Sequence, residues 1–171
     1  YRGLVGSEMC IRDRYNGGAI MSSSEITLAE IFAEKNYKTG IFGKWHLGDN
    51  YPSRPSDQGF QESLIHLAGG IGQVGDFTNY YAGNQSYFDP ALWHNNEIKK
   101  YEGYCSDIFT DEALKFIEQN KSNQFFCYLS FNAPHTPLQV PEKYYDLYKY
   151  IDPVNFYEEV TSEMTERDVN D

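Results

Sequence analysis

The chain has 171 residues and carries 25 acidic against 14 basic side chains, a formal net charge of −11. That length suffices for one domain with a real core, and 15 Tyr with 11 Phe favour a folded protein over a disordered one. No basic stripe is visible, which argues against a general nucleic-acid binder, and no apolar run is long enough to span a bilayer.

Residues 1–14 lack the apolar stretch of a signal peptide. Their centre, Leu4 to Asp13, resembles the peptide made when sequencing-adapter DNA is translated, so the segment is expected to be non-native or disordered and is set apart from the fold. Ile26 to Asn36 reads as a helix. Leu28, Ile31, Phe32 and Lys35 keep the i, i+3, i+4, i+7 rhythm, and Thr27 with Glu30 forms a capping-box pattern at its start. Tyr37 to Phe42 reads as a strand that runs into Gly43-Lys44-Trp45-His46-Leu47-Gly48. Residues i and i+2 of a strand share a side. Lys44 and His46 are therefore expected to project together, away from Trp45, as an anion grip. In a chain this acidic a local cation carries weight.

Asp49 to Phe60, rich in Pro, Ser, Asp and Gly, is loop. Ser63 to Ala68 reads as a short strand, Gly69 to Asp89 as irregular, and Leu92 to Tyr101 as a hairpin turning at Asn95-Asn96. Asp107 to Gln119 is a helix with Phe109, Ala113, Phe116 and Ile117 on one face. The apolar run Phe125 to Phe131 is expected to be a strand covered on both faces. It leads to the second chemical signal, Ala133-Pro134-His135-Thr136-Pro137. Pro141 suits the start of a helix through Tyr148, and residues 152–171 form an acidic, polar tail. Helix, strand and motif loop, twice over, is α/β organisation. Both loops follow the carboxyl ends of their strands, where open parallel sheets bind ligands, so the distant histidines can meet.

Thr27-Leu28-Ala29-Glu30, Tyr37-Lys38-Thr39-Gly40, the Lys-Trp-His-Leu-Gly string, Asp57-Gln58-Gly59-Phe60, Gly103-Tyr104-Cys105-Ser106-Asp107 and the Pro-His-Thr-Pro string together resemble the middle of a type I, arylsulfatase-like sulfatase of the alkaline-phosphatase superfamily. The likeness runs from about Ile26 to Tyr148. It implies an alkaline-phosphatase-like three-layer α/β fold with a mostly parallel central sheet, incomplete in this chain. Residues 15–151 would be part of a catalytic domain that cleaves carbohydrate or aryl sulfate monoesters. Carried over by position, Lys44 and His46 would bind sulfate oxygens and tune the nucleophile. His135 would contact the sulfate near the leaving oxygen, as an acid assisting its departure. The resemblance also implies calcium, a formylglycine nucleophile made from Cys or Ser, a small-molecule or glycan sulfate ester as partner, and a periplasmic or extracellular location.

The departures matter as much. No Cys/Ser-x-Pro-x-Arg string occurs: Cys10 is followed by Ile11-Arg12-Asp13-Arg14, and Pro52-Ser53-Arg54 has Asn50 where Cys or Ser is needed. The acidic strings that hold calcium are missing too. The chain is therefore expected to be an internal fragment, inactive as given, with no metal site of its own. A non-catalytic anion- or glycan-binding protein, and a phosphatase or phosphodiesterase relative, are the rival readings. Cys10, Cys105 and Cys127 fit no metal-ligand spacing. Cys105 and Cys127 read as free thiols, with a disulfide between them the alternative. Gly70 to Gly75 fits the dinucleotide glycine pattern but precedes a poor helix. Asn84-Gln85-Ser86 matches a glycosylation acceptor, and His66, His94 and Trp45 read as structural or, for the histidines, exposed. The tyrosines between Tyr80 and Tyr104 read as core and loop packing, with sugar stacking as the alternative.

Overall fold

The computed structural model describes residues 20–72, 76, 78, 79 and 86–151. The terminal segment 1–14, Cys10, the tail 152–171, half of the glycine pattern and most of the glycosylation triplet lie outside the described residues. The chain divides into two compact units, residues 1–139 and 140–171.

The first unit is built on a five-stranded sheet. Its strands are β1 (Lys38–Lys44), β2 (Glu62–His66), β3 (Ala91–His94), β4 (Glu97–Lys100) and β5 (Phe125–Ser130), in the spatial order β4-β3-β2-β1-β5. β1 lies parallel to both β2 and β5, while β3 and β4 form the expected antiparallel hairpin beyond β2. Asn95 and Asn96 turn that hairpin with φ of 50° and 70°, the left-handed pair that a two-residue loop requires and that asparagine tolerates.

Side-chain alternation along β1 and β2 divides the core in two. Phe42 and Leu64 face one side with Ile71, Leu92 and the buried side of helix α2 (Cys105–Asn120), to which Phe109, Ala113 and Phe116 contribute. Ile41 and Ile65 face the other side, with Trp45, Phe60 and Ala29 of helix α1 (Leu28–Glu34). The predicted face of α2 therefore holds, extended by Cys105 and Ile108 at its start.

The capping box of α1 forms as its sequence suggests: Glu30 N–H donates to Thr27 Oγ1 at 3.1 Å and Thr27 N–H to Glu30 Oε2 at 2.8 Å. The predicted apolar stripe of this helix does not hold. Ala29 is the residue buried, Phe32 is half-buried against Tyr37 and Phe126, and Leu28 and Ile31 are 58% and 44% exposed. The reason is geometric. Gly59, with φ of +90° and no Cβ, lets the loop press onto the backbone of Ala29 and Glu30, so the helix meets the sheet one residue away from the side its rhythm indicates.

A second correction concerns β5. It is half-buried along its length, with Tyr128 47% exposed and nothing pairing its far edge among the described residues. An apolar run marks a strand, but it does not say that both faces are covered. Cys127 is accordingly half-buried, and it and the buried Cys105 are free thiols.

In the second unit, α3 (Glu142–Tyr148) begins directly after Pro141. No described helix is long and apolar enough to cross a membrane.

Candidate functional site

β1 and β5 run side by side and in the same direction, with Gly43 opposite Ser130. Their carboxyl ends deliver both motif loops to one edge of the sheet. Ser130 Oγ donates to the Lys44 carbonyl at 2.7 Å, tying the two loop origins together. Lys44 is the last residue of β1 and is half-buried, and among the described residues its ammonium enters no ion pair.

Strand alternation does not itself produce the expected relation between Lys44 and His46. β1 ends at Lys44 and His46 adopts φ of 62°, so strand alternation does not reach it. What directs these residues instead is a pair of backbone hydrogen bonds to the β2 end: Trp45 N–H to the His66 carbonyl and His46 N–H to the Leu67 carbonyl, at 3.1 and 3.0 Å. Trp45 turns into the α1-side core, 7% exposed, and donates its indole N–H to the Ser53 carbonyl at 2.9 Å, a packing role as expected. His46 is 3% exposed.

His135 is half-buried. Its Nδ1 meets the Thr136 carbonyl at 2.7 Å, and a carbonyl only accepts, so Nδ1 carries the proton and Nε2 is the atom that can exchange one. Two tyrosines hold its loop. Tyr87, 1% exposed, donates its O–H to the His135 carbonyl at 2.7 Å, and its backbone N–H donates to Gln139 Oε1 at 2.9 Å. Tyr104 donates its O–H to the Gln139 carbonyl at 3.0 Å. These rings pack the loop, the plainer of the two sequence readings. Tyr87→Phe should cost about 1 kcal/mol of stability. If the loop's placement feeds the chemistry, it should also lower turnover by the complete protein roughly tenfold, which steady-state kinetics beside a thermal melt will read.

The residue that sequence reasoning passed over is His66. It is fully buried, stands in register with Lys44 across β1 and β2, and lies against Phe109 with ring centroids 6.4 Å apart. Burial, and after it the charges of Lys44, His46 and His135, push its imidazole down to about 3. All three predicted site residues thus lie within electrostatic reach of this one ring. A lone histidine in an apolar strand carries no motif, so only the strand register could have found it. His94, by contrast, pairs with the Tyr101 hydroxyl at 2.6 Å, as a structural residue does.

His66 also sets a pH dependence. The unfolded chain protonates this residue near 6.5, whereas the folded one resists until about pH 3. The folded pKa is depressed, so the neutral ring's contribution is fully present above pH 6.5 and is lost as the pH falls. The expected slope is about 1.4 kcal/mol per pH unit across that window. Equilibrium unfolding of the complete protein at successive pH values should show it, and a His66→Gln variant should show a flatter curve.

Burial raises both described thiols, Cys105 to about 11, so neither is poised as a nucleophile. Among the described residues no cluster of three His, Cys, Asp or Glu could hold a metal ion. A cavity of about 180 Å³ lined by Asp49, Arg54, Ile65 and Trp93 is reached from the side chain of Ile65, which points to the opposite face of β2 from His66. It is separate from the candidate site.

The chain is similar to known proteins. The sulfatase family model matches residues 9–164. An uncharacterized sulfatase of Schizosaccharomyces pombe is 35% identical over 132 residues, covering 71% of this chain and 23% of that protein. An arylsulfatase of Hemicentrotus pulcherrimus is 35% identical over 130 residues, covering 69% and 23%. The crystal structure of Ps i-CgsB in complex with k-i-k-neocarrahexaose superposes with a TM-score of 0.67 at 31% identity, over 80% of this chain and 33% of that one. The chain thus spans about a quarter of the length of these curated relatives. With its mixed α/β sheet and both motif loops at one strand edge, it belongs to the sulfatase family, on an alkaline-phosphatase-like fold.

Proposed function

We propose that this chain is the anion-gripping part of a longer hydrolase that cleaves sulfate monoesters, and that Lys44, His46 and His135 bind the sulfuryl group. The observation that carries the reading is the convergence of one ammonium and two imidazoles on the His66 ring, from loops 86 residues apart at their Ser130–Lys44 tie. Sulfate monoesters remain anionic at any ordinary pH. A lysine in contact with one in a partly dry cleft contributes roughly 4 kcal/mol of Coulomb attraction at an effective dielectric near 20. With Nδ1–H held by the Thr136 carbonyl, a second proton taken up on His135 Nε2 is the one suited to pass to the departing oxygen. Such contacts speed the reaction only where they strengthen as charge moves to that oxygen.

The neocarrahexaose complex supports a carbohydrate as substrate class, and the name of the Hemicentrotus pulcherrimus relative supports an aryl sulfate. The nucleophile, its formylglycine form and calcium are assigned to the remainder of the complete protein, and so is an export signal to the periplasm or outside. This chain alone is accordingly inactive. The test is hydrolysis of an aryl sulfate and of a sulfated oligosaccharide by the complete protein and by the 171-residue chain. Turnover by the complete protein only is expected. Turnover by the chain alone overturns the assignment of the nucleophile, and a complete protein that binds sulfated glycans without cleaving them favours the binding-protein reading.

A further inference from the structure

His66 marks where the three site residues meet but has no chemical role of its own in the sulfate-ester reading, and it is a buried polar side chain that the fold leaves unused. It is 0% exposed, and neither Nδ1 nor Nε2 finds a hydrogen-bond partner. The Ala68 carbonyl lies close enough to favour the charged ring a little, without reaching bonding geometry. Native interiors rarely tolerate this, because a buried donor or acceptor with no partner forfeits its hydration for nothing. An apolar side chain would fit better against Phe109.

The neighbours explain what the ring awaits. Lys44 lies across from it in register, and the charges of Lys44, His46 and His135 all bear on it. Among the described residues no carboxylate is among the groups acting on it. An imidazole kept neutral beside a lysine ammonium has one N–H to give and one lone pair. The ligand that would accept that N–H while answering that positive charge is an anion with several oxygens.

We propose that His66 is a substrate-binding residue, donating a neutral N–H to an oxygen of the sulfate ester held by Lys44, His46 and His135. This rests on the sulfate-ester reading of the site. Its role differs from that of its neighbours: it adds a hydrogen bond without adding charge, so its contribution stays constant over the range in which ordinary histidines titrate. The unfilled hydrogen bonds of the free protein are the cost of holding that donor ready.

The experiment compares His66→Leu and His66→Gln in the complete protein. His66→Leu should lower kcat/KM for an aryl sulfate about 100-fold, with the shape of the pH–rate profile unchanged, and should raise the melting temperature, since it removes an orphaned polar group. His66→Gln, which keeps a donor near the Nε2 position, should recover part of the lost activity. A His66→Leu protein that turns over within twofold of the parent overturns the proposal. So does one that melts lower or fails to fold, because the ring would then be a structural element. Should the parent itself cleave no sulfate ester, the sulfatase reading has failed. Calorimetric binding of inorganic sulfate then decides on His66: weaker binding by His66→Leu supports the donor, and equal binding removes it.

Discussion

Replacing Lys44 by alanine in the complete protein is expected to lower kcat/KM for an aryl sulfate about 1,000-fold, because roughly 4 kcal/mol of charge attraction is lost at an effective dielectric near 20. The chain's own charge makes the effect large. At a formal −11 the protein repels an anionic ester everywhere except where cations are gathered. Lys44 is half-buried at the end of β1, and among the described residues no carboxylate pairs with it. The split between constants is informative. A loss confined to KM means that Lys44 holds substrate and transition state equally, while a fall in kcat means that its contact tightens as the bond breaks. Lys44→Arg should rescue binding better than rate, since the planar guanidinium cannot occupy the position of a point charge. Unchanged kinetics for Lys44→Ala would remove this residue from the site.

Gly43→Ala is expected to be the most damaging small substitution in the described chain. Gly43 has φ of +123°, a backbone region closed to residues with a Cβ, and a Cβ placed there would lie 1.8 Å from the Ser130 carbonyl oxygen and 2.6 Å from its carbon. The obstacle is backbone, and it belongs to the neighbouring strand, so no rotamer change relieves it. The left-handed penalty of about 1–2 kcal/mol adds to an overpacking cost of about 1–3 kcal/mol, and the strands forced apart are the two that carry the motif loops. Thermal melts of Gly43→Ala beside Gly40→Ala isolate the cause. Gly40 lies on the same strand, but its Cβ would meet only flexible ring atoms, 3.0 Å from Phe42 and 3.1 Å from Phe116. Gly40→Ala should melt well above Gly43→Ala, and equal melting would show that the close approach at Ser130 yields easily.

Local chemistry was the part of this fold that the sequence made readable. Thr27 and Glu30 announce a cap, Asn95-Asn96 a tight turn, and the spacing of Phe109, Ala113 and Phe116 a buried helical face, because each depends on neighbours within one turn of chain. Long-range contact decides the rest. Leu28 and Ile31 keep a helical rhythm yet stay exposed, since the approach of the Gly59 loop, more than twenty residues away, sets how α1 meets the sheet. Phe125 to Ser130 is apolar enough for a doubly covered strand but has an open edge among the described residues.

At the site, the motif residues Lys44, His46 and His135 were legible through the family strings, whereas the contacts that position their loops were not. His46 is aimed by a left-handed φ and by hydrogen bonds to β2, not by strand alternation. His66 enters only through the register of β2 on β1, and the hold of Tyr87 on the His135 carbonyl spans 48 residues of sequence. Neither relation leaves a pattern in the chain.

The most direct test is a crystal structure of the complete protein with inorganic sulfate or an uncleaved aryl sulfate bound. The account predicts one sulfuryl group whose oxygens lie within about 3 Å of Lys44 Nζ and of a ring nitrogen of both His46 and His135. A sulfuryl group bound elsewhere, or one that touches the Lys44 loop while His135 faces away from it, would contradict the account.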